Sequence, residues 1–355
     1  MRAIVLREIG GPENLKLETL SDPIPGPGEV VVKLHAAALN HRDVWIRRGQ
    51  YAGIKLPIIL GSDGAGEVMA VGANVDPGWL KQNVIINPGL DWGEDERAQS
   101  ANFRILGLPD SGTYAEFVKV PTTNIHPTPG GWSPAEAAAL PLAGLTAYRA
   151  VVTRAKVQDG ESVLITGIGG GVSQCALQIA MAIGARVFIT SGDDEKIERA
   201  KQLGAAGGVN YHTADWVKKL QATSGGIDAA IDSAGGETLN GIIEVLKPGG
   251  RVATYGATTG PTPNFEIRRV FWKQISILGT TMGRPEEFAA LLDLYTTSGL
   301  RPVVDQIFPL AQASEAHRRM ETASQFGKIV LDITPPHGPH DTGGLLPATE
   351  AESQA

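Results

Sequence analysis

Apolar and polar positions follow two different patterns along this chain. Up to about residue 125 the apolar residues fall in short β-branched runs, 29–34, 66–71 and 83–86, each bounded by Gly, Pro or Asn. Runs of that length with turn residues between them read as strands. No long helical period appears there, so the segment is expected to fold as a compact β domain, partly closed like a barrel. The pattern changes at Ser133-Pro134-Ala135-Glu136, which combines a Ser cap, a Pro at the first helical position and a Glu three residues after the cap. Strands are then expected at 162–166, 186–190, 208–211, 228–232, 251–255 and 275–279, with helical stretches in most gaps. In the helix starting near Gly171, residues Val172, Cys175, Ala176, Ile179, Ala180 and Ile183 share one face, and Gly184 ends it. Alternation of this kind implies an α/β doubly wound parallel sheet. A strand at 303–308, a helix near 311–321 and a last strand at 328–333 follow, the last one expected to return to the first domain. The domains read this way are 1–125, completed by 302–334, and 126–301. A tail at 335–355, rich in Pro, Gly, Ala and Glu, has no period and is expected to be disordered; its His337 and His340 read as inert.

Composition narrows the function classes. A length of 355 residues is too great for one comfortable core. The formal net charge of −7 leaves no electrostatic footprint for nucleic acid or an anionic membrane. Met1 to Leu6 reads as a strand rather than a leader, and the apolar runs fall short of a membrane span. A cytoplasmic protein is the simplest expectation. The single cysteine, Cys175, forms no intramolecular disulfide and no Cys-based zinc site. It sits in an apolar helical pattern, as core packing rather than as a nucleophile.

The most informative stretch runs from Val163 to Ser173 and sets Gly167, Gly169, Gly170 and Gly171 between a strand and a helix. Missing side chains there let the backbone approach a pyrophosphate, and the helix N-terminus supplies amide donors and dipole. Val172 stands where the strict dinucleotide fingerprint has its third glycine, so the motif departs from the regular expression. At the end of the second strand an NAD-preferring site usually has an acid for the ribose hydroxyls. Here Ser191 and Gly192 come first and Lys196 follows, a pairing that suits a 2′-phosphate and favours NADPH over NADH. The plainer alternative makes Lys196 a solvated helix residue and gives the ribose to Asp193 or Asp194.

The element order and four motifs resemble the medium-chain dehydrogenase/reductase superfamily, over about residues 1–333. The motifs are Ala38-Leu39-Asn40-His41-Arg42-Asp43, Leu60 to Val68, Leu142-Ala143-Gly144-Leu145-Thr146-Ala147-Tyr148, and the glycine turn. The resemblance implies a GroES-like, partly open β-barrel catalytic domain beside a Rossmann dinucleotide-binding domain. It also implies departures from the zinc alcohol dehydrogenases. Asn40 replaces a Cys ligand, Gly61-Ser62-Asp63 replaces Gly-His-Glu, Leu142 or Ala143 meets the third ligand, and 89–110 lacks the four-Cys lobe. That set no longer offers the donors tetrahedral zinc needs, so no metal site is expected, with His41 and Asp63 the only residual candidates.

What remains looks like the quinone oxidoreductase and enone reductase branch, whose pattern Asn40, Asp43, Arg48, Gly49 and Tyr51 fill. By the same resemblance the glycine turn with Val172, Ser191, Lys196 and Tyr211 would contact the adenosine end of NADP. Thr146, Gly256 and the stretch Thr280-Thr281-Met282 would line the nicotinamide end, and Lys328 joins the cofactor contacts. Ser173, where relatives often have glycine, is a departure that touches helix–strand packing. Without a Lewis acid, hydride addition to an enone or quinone is an easier demand than making an alkoxide, because the charge spreads over an enolate. Asn40 is expected to orient the substrate carbonyl or the cofactor, or else to be a turn-stabilising amide. Tyr51 is expected to protonate or hydrogen-bond the developing anion, or else to be a surface-loop aromatic. Asp43 braces its loop. A zinc-free aldehyde reductase or alcohol dehydrogenase shares every motif, whereas the intact Asn40, Asp43 and Tyr51 set argues mildly against a crystallin-like NADPH-binding protein without turnover. Relatives pair their dinucleotide sheets edge to edge, so a homodimer through 274–279 is expected. Trp92, Phe103, Phe271 and Trp272 read equally as pocket wall or core.

Overall fold

A computed structural model describes residues 1–334; the tail, with His337 and His340, lies outside the described residues. Six parallel strands form one sheet in the spatial order Gly207–Asn210, Arg186–Ser191, Ser162–Ile165, Ile227–Asp232, Leu246–Thr254 and Ser276–Gly279. Numbered along the chain this is the order 3-2-1-4-5-6 of a doubly wound dinucleotide fold, whose crevice opens between the first and fourth strands. The central strand Ser162–Ile165 is buried along its whole length, as expected where helices cover both faces.

The second unit is antiparallel. Glu29–Ala38 is its spine, pairing with Asp63–Val71 on one side and with Lys328–Asp332 and Phe117–Pro121 along the other. The strand from the far end of the chain therefore sits inside the sheet begun at its start. Val304–Pro309 pairs parallel to it.

Three elements differ from the sequence expectation. A helix, His41–Arg47, stands in the segment read as purely β. At seven residues it is too short to show a helical period, and the fold supports it through Asp43, whose carboxylate accepts the Asn40 N–H at 2.8 Å. The spine strand runs on through Ala36, Ala37 and Ala38, all buried; alanines show no alternation, so the sequence pattern marks only 29–34. Leu246–Thr254 likewise starts before the expected 251 because a register shift bridges its glycines. The capped start at Ser133 forms as its residue types dictate, with Glu136 accepting the Ser133 N–H at 2.7 Å and the Ser133 hydroxyl accepting the Glu136 N–H at 3.2 Å.

Among the described residues the buried apolar side chains form three clusters, one within each unit and one that runs through both. Ala36, Ala38, Ala65 and Ile85 of the antiparallel unit share a cluster with Val163, Ile165, Ile179 and Ala229 of the parallel sheet. The helices Pro134–Ala139 and Pro141–Tyr148 lie in the same cluster and carry the packing across.

Candidate active site

The glycine turn is built to leave donors open. Gly167 has φ +63°, a conformation that costs other residues steric strain. The helix Gly171–Ala182 then begins at Gly170, which has no side chain to cap it. Among the described residues the N–H groups of Gly171, Val172 and Ser173 have no acceptor. Such groups at the start of a twelve-residue helix are the ones a pyrophosphate would take. The departure at Ser173 is accommodated: its hydroxyl donates to the Thr166 carbonyl at 2.9 Å and lies 3.3 Å from the Tyr255 hydroxyl.

The adenosine-end residues gather at the next strand end. Ser191 closes the second strand and its hydroxyl accepts the Asp193 N–H at 3.1 Å. A Cβ on Gly192 would stand 2.7 Å from both the Tyr211 hydroxyl and His212 Nε2, so both rings lie over this glycine. Lys196 folds back over the turn, donating to the Ala323 carbonyl at 2.6 Å, with Nζ 3.1 Å from where a Gly169 Cβ would be. Burial holds its ammonium below the usual lysine value.

Asn40, Asp63 and Lys328 come together as a buried cluster between the two units. Lys328 Nζ donates to the Leu39 carbonyl at 2.7 Å, to Asn40 Oδ1 at 2.7 Å and to Asp63 Oδ2 at 2.8 Å. Asn40 Nδ2 donates to Asp63 Oδ2 at 2.9 Å, and Asp63 Oδ1 accepts the Leu142 N–H at 2.8 Å. Lys328 reaches this point because the return strand starts against the glycine turn, where the Gly327 N–H donates to the Gly169 carbonyl at 3.1 Å. Its stem then crosses Gly171, where a Cβ would stand only 2.5 Å from Lys328 Cδ. The lysine expected at the cofactor thus touches the turn with its methylenes, while its ammonium serves Asn40 and Asp63.

A second layer holds Asn40 in place. Asp43 is fully buried, and its Oδ2 accepts both the Asn40 N–H and the Tyr114 hydroxyl, the latter at 3.0 Å. Burial raises the Asp43 carboxyl above its usual range, against the pull of Arg42 and these donors. Arg42 donates to the Ser62 hydroxyl at 2.7 Å and the Leu106 carbonyl at 2.8 Å, and its guanidinium carbon lies 5.2 Å from the centre of the Tyr51 ring. Tyr51 therefore packs against Arg42 and is half-buried. Thr146 is buried, with its hydroxyl 4.0 Å from Met282 Sδ; Gly256 lies half-buried beside Ser233, and Thr281 is exposed. Trp92 and Phe103 stack edge to face at 5.3 Å, whereas Phe271 and Trp272 are exposed on another face.

Comparison with known proteins places this architecture. Residues 26–130 match the alcohol dehydrogenase GroES-like domain and residues 171–297 the zinc-binding dehydrogenase family. The chain is 34% identical to the zinc-type alcohol dehydrogenase-like protein YogA of Leptosphaeria maculans, over 90% of this chain and 94% of that one. The chain belongs to the medium-chain dehydrogenase/reductase superfamily. Within it, the human quinone oxidoreductase is 32% identical, over 93% of this chain and 97% of the relative. A crystal structure described as an NAD-dependent alcohol dehydrogenase superposes with a TM-score of 0.90 at 43% identity, covering 94% of this chain and all of that one. The protein is thus an oxidoreductase with a GroES-like domain and a Rossmann-like domain, in a superfamily whose members bind nicotinamide cofactors.

Several of these names carry zinc, and the donor set can be tested against it. Asn40 presents an amide, Leu142 and Ala143 nothing, and the one carboxylate, Asp63, already binds an ammonium. His41 lies 6.0 Å ring to ring from Trp45, and among the described residues it makes no hydrogen bond to the cluster. Among the described residues no three His, Cys, Asp or Glu side chains converge. These residues do not fit a catalytic zinc. The open amides of the glycine turn do fit a dinucleotide. Sequence reasoning missed the Asp63–Lys328 pair and Tyr114. A signal existed for Lys328, a lone charge opening the apolar run Ile329-Val330-Leu331, because a buried charge implies a partner.

Proposed function

We propose that this protein reduces quinones or α,β-unsaturated carbonyl compounds with NADPH, without zinc. The observation that carries the reading is the Asn40–Asp63–Lys328 cluster, which sets an amide N–H and a fixed cation where zinc relatives need metal donors. The glycine turn would hold the pyrophosphate, Ser191, Lys196 and Tyr211 would take the 2′-phosphate, and Thr146, Gly256 and Thr281 would line the nicotinamide. When bound, the reduced nicotinamide supplies a hydride. Asn40 donates to the substrate carbonyl oxygen through the Nδ2 proton that has no acceptor among the described residues. As the hydride reaches the β-carbon, the C=C electrons move onto that oxygen as an enolate, and a proton from Tyr51 or water completes the saturated ketone. A short chain of donors suffices for a delocalised anion. The edge strand Ser276–Gly279 and the exposed Phe271 and Trp272 support a homodimer through this side. A cytoplasmic location belongs to the same reading, and among the described residues no helix is long and apolar enough to cross a membrane.

The 43% identity to an NAD-dependent alcohol dehydrogenase favours a second reading, an alcohol or aldehyde oxidoreductase using NADH. Oxidation of NADPH and NADH against 1,4-benzoquinone, 9,10-phenanthrenequinone, an alkyl vinyl ketone and a simple aldehyde, with and without EDTA, separates the two. EDTA-insensitive turnover of quinone or enone, faster with NADPH, is expected. Aldehyde-only turnover abolished by EDTA overturns the proposal, and tight NADPH binding without turnover makes the protein a binding protein.

A further inference from the structure

Lys328 has three protons and three acceptors at 2.7, 2.7 and 2.8 Å. Its side chain is 5% exposed and that of Asp63 is 0% exposed. The ammonium is therefore spent inside the protein, with no proton left for a phosphate. A structural ion pair would be complete with Asp63 alone, yet the ammonium also takes Asn40 Oδ1. That contact settles how the Asn40 amide is oriented. A lysine only donates and a carboxylate only accepts, so the amide oxygen must face Lys328 and the nitrogen must face Asp63. One N–H of Nδ2 goes to Asp63, and the other has no acceptor among the described residues. A cation on the oxygen of an amide draws density from its nitrogen and strengthens the remaining N–H as a donor. Asp63 opposes this by accepting the first N–H. Its contact is longer, 2.9 against 2.7 Å, and its charge is divided with Lys328 and the Leu142 N–H.

We infer that Lys328 is a positioning residue for the reaction: its buried ammonium pins and polarises the Asn40 amide, making the free N–H a charge-assisted donor to the carbonyl oxygen of an enone or quinone. The inference rests on the proposal that Asn40 meets the substrate carbonyl.

The test reads the C=O stretch of a carbonyl-labelled enone bound with NADP⁺ by isotope-edited Raman spectroscopy, beside kcat and the NADPH Kd. In the unaltered protein the stretch lies below its value in water. Lys328→Gln keeps a neutral donor but removes the charge. It is expected to move the stretch back up and lower kcat about tenfold, since charged hydrogen bonds are roughly twice as strong as neutral ones. The NADPH Kd stays unchanged. Lys328→Arg keeps the charge and is expected to retain most of the downshift; if Lys328→Gln does not fold, this variant decides alone, and loss of the downshift in it overturns the inference. Asn40→Ala separates the two failures. A downshift lost in Asn40→Ala but kept in Lys328→Gln overturns the lysine's role and leaves Asn40 in place. A downshift kept in Asn40→Ala removes the role of Asn40 and the inference with it. A weaker NADPH Kd in Lys328→Gln with an unmoved stretch makes Lys328 a cofactor contact instead.

Discussion

Asn40 works under a constraint that its sequence neighbours impose. Its backbone N–H is held by Asp43, its amide by Lys328 and Asp63, and only one proton is left for chemistry. Tyr51 is the other residue with a proton to give, and none of its hydrogen bonds is taken within the described chain. Tyr51→Phe is therefore expected to lower enone turnover by about a hundredfold, the low end for a positioned general acid, with the thermal midpoint unmoved. A kcat equal to the parent's would assign the proton to water. Behind Tyr114 lies His317, fully buried, with Arg47 Nε 3.4 Å from its Nδ1 and its ring edge-on to Tyr114. Burial, and then the charge of Arg47, push the imidazole down from 6.5 to about 3. Between those values the unfolded chain holds a proton here that the folded one does not. Stability thus falls as pH falls through that window, by up to about 1.4 kcal/mol per unit. Urea unfolding at several pH values from neutral to mildly acidic should show a shallower loss in His317→Gln than in the parent; parallel curves would mean that His317 titrates normally in the folded state.

At the scale of elements, the loop 89–110 is held by its own ion pairs of Arg104 with Asp91 and Asp110 and by an anchor from outside it. Arg149, at the start of the π-helical turn Arg149–Arg154, is 2% exposed. It donates to Glu287 at 2.8 Å and to the carbonyls of Glu96 and Arg97, and lies 4.8 Å from the Trp92 ring centre. Removing one partner of a buried pair leaves the other uncompensated, so Arg149→Met is expected to cost about 3–5 kcal/mol in urea unfolding. The loop carries Phe103, and the KM for a bulky quinone should change with it; a loss below 1 kcal/mol, within the surface range, would show the pair to be dispensable. These contacts also explain what could be read from sequence. The six parallel strands, the Ser133 cap and the glycine turn were legible because each is written in neighbouring residues. The Arg149 anchor and the Lys328 contact join residues far apart in the chain, and helix His41–Arg47 is shorter than two periods. Of the site residues, Asn40 belongs to the cluster and Asp43 braces it through the Asn40 N–H, while Tyr51 packs against Arg42. The sequence offers them as candidates, and their order in space depends on contacts between distant residues.

At the scale of the whole molecule, each unit has an apolar cluster of its own, but a third cluster and the strand Lys328–Asp332 tie the two together. Calorimetry should show one cooperative transition, raised as a whole by NADPH, by about 2.7 kcal/mol at a hundredfold excess over Kd. Two separated transitions, with only one shifted by NADPH, would mean that the units fold independently. The crossing of Lys328 over Gly171 has a consequence for engineering. The two positions form one locus: any side chain larger than hydrogen at 171 must displace the lysine stem, so a library that randomises only the turn is expected to favour glycine there. A library that varies 171 together with a shorter residue at 328 opens sequences that no single-step search can reach.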